Sequence, residues 1–436
     1  MSDISLVDGT VPLLFNILAA IGGLWLLAGG RRYWLRAVVP ALIAGTAGAL
    51  LLYYVAEVAY GWWDQSFPRT LYVWTGAAVA AVVLIIPRIL AGRGAVRRAV
   101  AIPAALFVVL AAVSQANVQY AAFPTVSSMF TTQDLVQGPI TEVAGHRNHA
   151  TSAKVPATTE ANWTPPKDLP DHGRVYSAPI PGKVSGYRSG NAYVYLPPAY
   201  LADPHHSNLP VLVMIHGTPG GPGSWISSGK LAATMDSYAA AHRGLAPVVV
   251  MPDLSAPRGS KLPLCLDSPV DHSATYLGVD VPRWVRHTLG AGTAGVRQWA
   301  IGGLSSGGTC ALQIAVNFPR AYSSFLDMSG ETEPSIHGGR VQLIDEYFNG
   351  DEKAFIHQNA LNVLAGHRFP KTAGRFVSGI SDNKYGTELD ALYTATRQAG
   401  MHVQFLKVSG GHSWRMWSAE LPRQMPWLMR RTGLTP

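Results

Sequence analysis

The run Gly303-Leu304-Ser305-Ser306-Gly307-Gly308 sets a hydroxyl among glycines in a G-x-S-x-G arrangement. A serine hydroxyl is a weak nucleophile until a neighbouring base takes its proton, and then it can attack a carbonyl and carry the acyl group. The setting favours that use. An apolar strand pattern over residues 298–301 leads into the motif, and a helical pattern over 309–316 leaves it. The chain must then turn sharply at Ser305 and lift its Oγ clear of the strand, near the positive end of the following helix. A Gly/Ser-rich loop is the plainer reading. Ser306 is the competing nucleophile, but Ser305 holds the central position.

Such a serine needs an imidazole base, and the imidazole needs an acid to orient it. The expected chain order is serine, acid, histidine. Asp382 follows a strand-like run at 375–378, and His412 follows another at 402–408, just after Gly410-Gly411. His272, His287, His337, His357, His367 and His402 lack a glycine-rich loop after a strand, so surface or packing roles suit them better. Asp345, Asp351 and Asp390 are alternative acids, but they sit in helical or loop segments. Backbone N–H groups must also meet the developing oxyanion. One is expected from Ser306. The other should come from the loop His216-Gly217-Thr218-Pro219, where Pro219 has no N–H and Thr218 is preferred over Gly217. His216 reads as a brace for that loop.

These side chains are far apart in sequence, so a sheet has to collect them. Strand-like runs at 192–196, 210–215, 246–251, 298–301, 375–378 and 402–408 alternate with helical spacing, as at 281–289. Apolar strands alternating with helices predict a mostly parallel, doubly wound sheet covered on both faces. This domain is expected over residues 173–436. Residues 121–172, rich in Thr, Ser, Pro and Ala, read as an extended linker.

The chain is 48% hydrophobic and only 14% charged, over 436 residues. Mean hydropathy is positive. The excess lies in residues 1–120, where apolar stretches at 11–29, 37–58, 71–90 and 100–118 each approach the ~20 residues that cross a bilayer. The first stretch is preceded by Asp3 and Asp8 and by no Lys or Arg, unlike the basic start of a cleaved signal peptide. A four-helix transmembrane anchor is therefore expected. Arg31, Arg32 and Arg36 follow the first span, and Arg88, Arg93, Arg97 and Arg98 separate the third from the fourth. By the positive-inside rule those loops are cytoplasmic. The loop with Glu57, Tyr60, Trp62, Trp63, Asp64 and Arg69 is then external, as are the N-terminus and everything beyond residue 118. Ala41, Gly45 and Ala49 repeat at four-residue spacing, which suits close helix packing within the bundle, or between two copies. The net charge of +8 fits topology and anionic lipid. No basic run with interleaved aromatics points to nucleic acid.

The run Tyr195-Leu196-Pro197-Pro198-Ala199-Tyr200, the His216-Gly217 loop, the Ser305 motif, the Asp382 loop and Gly411-His412-Ser413-Trp414-Arg415-Met416-Trp417 together resemble the esterase D and mycolyltransferase group of α/β-hydrolases. The resemblance covers residues 173–436. It implies an α/β-hydrolase fold with Ser305 as nucleophile, His412 as base and Asp382 as acid. The mycolyltransferases proper differ: they usually carry a glutamate acid and are secreted without such spans. The four-span architecture is similar to actinobacterial envelope esterases, some of which are thought to act on aminoacylated phospholipids. In the same picture Cys265, in a loop after the 246–251 strand, and Cys310, one turn into the helix behind the nucleophile, are expected to form a disulfide in an oxidising compartment; two buried free thiols are the alternative. Two cysteines make no metal-ligand pattern, and neither metal nor organic cofactor is expected. The expectation is a membrane-anchored extracytoplasmic serine ester hydrolase for a lipid or envelope ester. An acyltransferase to an envelope sugar and an inactive hydrolase-fold scaffold are the alternatives.

Overall fold

A computed structural model describes residues 4–59, 67–91, 94–129, 136–141, 155–203, 208–255 and 260–436. The chain divides into two compact units, one built on Met1–Met129 and one on Phe130–Ser335 with Arg340–Pro436.

The first unit contains four helices long and apolar enough to cross a membrane: α1 (Thr10–Leu27), α2 (Arg31–Ala59), α3 (Arg69–Ala91) and α4 (Ala101–Tyr120). α1 packs on α4, α4 on α3, and α3 on α2. Their shared core is small-residue and aliphatic, with Ala41, Ala80, Ala81, Leu84, Ala104, Ala105 and Val108 buried. Outward-facing Leu24, Ile43, Ile86 and Leu90 are exposed. The Ala41/Gly45/Ala49 repeat works inside the bundle: a Cβ on Gly45 would run into the carbonyl oxygen of Gly76 on α3. At one end Arg88 of α3 donates to the carbonyl oxygens of Trp25 and Ala28 at the C-terminal end of α1, where the last helical carbonyls lack their usual i+4 donors. Its guanidinium lies 4.7 Å from the ring centroids of both Trp25 and Tyr33. At the other end Glu57 accepts hydrogen bonds from Phe67 N–H and the Tyr72 hydroxyl. Tyr60, Trp62, Trp63, Asp64 and Arg93, which entered the orientation reading, lie outside the described residues.

The second unit is built on a nine-stranded sheet of order β1-β2-β3-β5-β4-β6-β7-β8-β9. The strands are β1 (Val136–Pro139), β2 (Arg174–Ala178), β3 (Ala192–Leu196), β4 (Val211–Ile215), β5 (Val248–Met251), β6 (Trp299–Leu304), β7 (Ser324–Met328), β8 (Ala373–Gly379) and β9 (His402–Val408). β3 runs antiparallel to both neighbours, and every other pairing is parallel. Strands β4 to β7 are buried throughout, as expected where helices cover both faces. Helices that matter for the site are α5 (Pro222–Ser227), α6 (Val281–Thr288), α7 (Ser306–Asn317), α8 (Asn383–Gln398) and α9 (Trp414–Thr432). This is the mostly parallel α/β-hydrolase arrangement.

Register brings the strand ends level. Ile215 pairs with Gly303, Leu304 with Met328, and Met328 with Val377. The loops that follow β4, β6, β7, β8 and β9 therefore open on one edge, the carboxyl edge where ligands bind in such sheets.

Strands β1, β2 and β7 were not expected from sequence. β7 (SFLDM) breaks its apolar run with Asp327. Part of the stretch read as linker also lies against this domain. Asn208 donates to the carbonyl of Val155 and exchanges hydrogen bonds with Thr158. Trp163 Nε1 donates to the Arg243 carbonyl, and the Trp163 ring packs on the core.

Candidate active site

β6 delivers Ser305 to the sheet edge. Its backbone there has φ 53° and ψ −129°, a strained conformation for a residue with a Cβ. Three glycines allow the turn. A Cβ on Gly303 would strike the carbonyl of Gly307, one on Gly307 the carbonyls of Ile215 and His216, and one on Gly308 the Asp327 carboxyl. The strand end and the helix start can therefore lie against each other and against β4. Ser305 N–H donates to Met328 O at 2.8 Å, which fixes the turn to β7.

The loops after β8 and β9 are stitched together by Ile380 N–H to Val408 O (2.8 Å) and Ser381 N–H to Gly410 O (2.9 Å). Gly379 and Gly410 touch so closely that a Cβ on Gly379 would meet the Gly410 carbonyl. Asp382 and His412, thirty positions apart, end side by side. His412 Nδ1 lies 3.0 Å from Asp382 Oδ2, and His412 Nε2 lies 3.0 Å from Ser305 Oγ. The Asp382 side chain is 1% exposed and that of His412 13%. An ionised carboxylate only accepts, so Nδ1 carries the proton and Nε2 turns its lone pair to the serine hydroxyl.

Aromatic rings box the imidazole. Tyr385, in the first turn of α8, stacks on it with centroids 3.9 Å apart and planes 20° apart. Trp417 meets it at 4.8 Å and 85°, and its Nε1 donates to Ser329 Oγ at 3.3 Å. Trp414 stands edge-on to both Trp417 and the buried Trp225 of α5.

Thr218 and Ser306 also come together: Ser306 Oγ donates to Thr218 Oγ1 at 3.0 Å. Ser306 opens α7, where helical N–H groups have no carbonyl partner within the helix. His216 is a brace. Its Nε2 accepts from Leu254 N–H at 3.1 Å, so Nδ1–H donates to Gly217 O at 2.8 Å. Burial pushes its pKa down, which keeps it neutral. Cys265 and Cys310 are bonded, with Cα atoms 5.4 Å apart. The bond ties the long connection after β5 to the nucleophile helix.

The other candidates are occupied elsewhere. Asp351 caps a short helix by accepting from Ala354 N–H, and Asp390 pairs with Lys407 at the surface. Asp345 is exposed. Among the described residues no group of three or more His, Cys, Asp or Glu side chains is gathered as a metal would need.

Sequence reasoning missed two groups. Asp327 of β7 is fully buried, with Oδ1 accepting from Gly330 N–H at 2.8 Å. Burial, opposed by that hydrogen bond and aided by Glu388, pushes its pKa up to about 8. Glu331, in the loop after β7, donates its N–H to Thr309 Oγ1 on α7 and pairs its carboxylate with Lys384 on α8 at 2.7 Å. That loop thereby joins the serine-bearing and acid-bearing elements. An acid inside an apolar run was the only available signal for Asp327.

The Esterase family model matches residues 187–428, more than half of the chain, including Ser305, Asp382 and His412. The chain belongs to the Esterase family. An uncharacterized protein of Corynebacterium glutamicum is 33% identical to this esterase-family chain over 99% of its length and 98% of the relative's. That match runs through the apolar helices as well as the sheet domain. A ferulic acid esterase superposes with a TM-score of 0.52 at 19% identity, covering 60% of this chain and 98% of that one. This likeness concerns the fold. An S-formylglutathione hydrolase from Agrobacterium tumefaciens covers 61% of this chain and 97% of its own at 20% identity, with a TM-score of 0.49.

Proposed function

We propose that this Esterase-family protein is a membrane-anchored serine ester hydrolase whose catalytic domain lies outside the cytoplasmic membrane. The hydrogen-bonded row Ser305–His412–Asp382 is the observation that carries the chemistry. His412 takes the Ser305 proton as Oγ attacks an ester carbonyl. Asp382 orients the imidazole and stabilises its charged form. The N–H groups of Thr218 and Ser306 receive the oxyanion, a contribution that is typically about 3 kcal/mol per donor. His412 then returns the proton to the departing alcohol, and water, activated by the same imidazole, releases the acyl group from Ser305. None of these steps calls for a metal or organic cofactor.

The substrate class follows from the tether. Four apolar helices hold the domain at a bilayer, and the arginines at the start of α2 and around the end of α3 mark the cytoplasmic side. The esters within reach are those of outer-leaflet lipids and envelope components, aminoacylated phospholipids among them. The full-length match to the corynebacterial protein supports helices and hydrolase domain as one working unit.

The test is labelling of membranes holding the full chain with a fluorophosphonate probe. Wild type should label, and Ser305→Ala should not. Ester turnover in Ser305→Ala should fall by about 10³-fold or more. Undiminished labelling of that variant would overturn the assignment. Incubation with aminoacylated phosphatidylglycerol should release free amino acid. Acyl transfer to an added sugar in place of release would favour a transferase.

A further inference from the structure

Resting on the serine hydrolase reading above, we propose that Tyr385 is a positioning residue for His412, its π face stabilising the imidazolium that forms when Ser305 gives up its proton. The geometry is that of a planar cation on an aromatic face. The Tyr385 and His412 centroids are 3.9 Å apart with planes 20° apart, and Tyr385 is 6% exposed. Water is thus excluded from that face of the imidazole, where a π contact is worth more than at a wet surface. Trp417, nearly perpendicular at 85° and pinned to Ser329, limits rotation of the imidazole off the Ser305–Asp382 line.

The placement follows from the chain. Asp382 precedes α8 and Tyr385 lies three positions on, so one helical turn presents both the acid that meets Nδ1 and the platform that meets the ring. Each acts on the same event in a different way: the carboxylate draws the charge in the ring plane, and the phenol ring accepts it from the face.

α8 brings Lys384 and Glu388, β7 and its loop bring Asp327 and Glu331, and α9 brings Arg415. Lys384 Nζ lies 5.0 Å from the Tyr385 centroid. It is also 2.7 Å from Glu331 and 4.0 Å from Glu388, so its charge is answered by carboxylates.

The experiment compares wild type, Tyr385→Phe and Tyr385→Leu as full-length proteins in detergent, with a nitrophenyl ester as substrate and kcat and KM measured from pH 5 to 9. Phe keeps the π face and should stay within about twofold of wild type. Leu fills similar space without it and should lower kcat about tenfold with KM little changed. Loss of the platform disfavours the imidazolium. The acid limb of kcat/KM, where His412 becomes protonated, should therefore move to lower pH by about half a unit or more. If the Leu variant does not fold, pentafluorophenylalanine at 385 keeps the shape and drains the π face, and the same shift is expected. An acid limb unmoved in the Leu or fluorinated protein overturns the proposal, whatever happens to kcat, because a space-filling role leaves the His412 equilibrium alone. Ser305→Ala, run alongside, separates the two claims: full activity in that variant defeats the serine reading, whereas an unmoved limb with an inactive Ser305→Ala defeats only the role of Tyr385.

Discussion

Ser305, Asp382 and His412 could be picked out of the sequence because each is a polar residue in a glycine-marked loop directly after an apolar run. The structure brings all three together. Asp327 and Tyr385 carried no such mark. An aspartate inside SFLDM disguises a buried strand, and a tyrosine near the start of a helix has nothing local to show that an imidazole will lie on it. Asp327 has a consequence for stability. Its folded pKa, pushed up to about 8 by burial, stands above the ~3.9 of an unfolded aspartate. The stabilisation linked to its proton is complete below about pH 4 and is lost as pH rises through about 8. Asp327→Asn keeps an acceptor for Gly330 N–H and removes the titration. Melting curves from pH 5 to 8 should show wild type losing stability relative to the variant as pH rises. Parallel curves would mean that Asp327 is ionised in the folded protein throughout.

Strands β4, β5 and β6 were legible because burial on both faces leaves a continuous hydrophobic run, whereas β3, β8 and β9 showed as shorter apolar or alternating stretches, β9 with no residue fully buried. β1 lies at the edge of the sheet, and β2 is only five residues long, opened by Arg174 and interrupted by Ser177, so neither leaves a sustained apolar run. The docked strap from residue 155 onward was hidden for a related reason: it holds on mainly through backbone hydrogen bonds and one tryptophan, which leave no period. The Cys265–Cys310 bond acts at this scale. It closes a 45-residue separation, which spans α6, and joins two elements that β6 already separates in sequence. Replacing both cysteines with alanine should cost about 2–4 kcal/mol. A lowered denaturant midpoint for the hydrolase domain would report it, and no free thiol should react in the folded wild type before reductant is added. Thiols that react without reductant would remove the bond from the account.

Across the whole chain, the division into an apolar helical part and an α/β part was plain from composition, since hydrophobic residues concentrate ahead of residue 120. Orientation was read from arginines, which act through the insertion process and leave no trace in a fold. It therefore needs its own measurement. Single cysteines introduced on a Cys265→Ala/Cys310→Ala background near residue 32 and near residue 420 should differ in intact cells: a membrane-impermeant maleimide should reach the second and spare the first. Equal labelling, or the reverse pattern, would invert the proposed topology. Arg88 links that question to packing. In the proposed orientation it is one of the charges that hold a loop on the cytoplasmic side. The same guanidinium caps the end of α1 and lies against Trp25 and Tyr33. Lysine would preserve the sorting signal but could not reproduce a flat fork shared between two carbonyls and two rings. A single codon thus writes both the address of the third helix and the rivet that fastens it to the first.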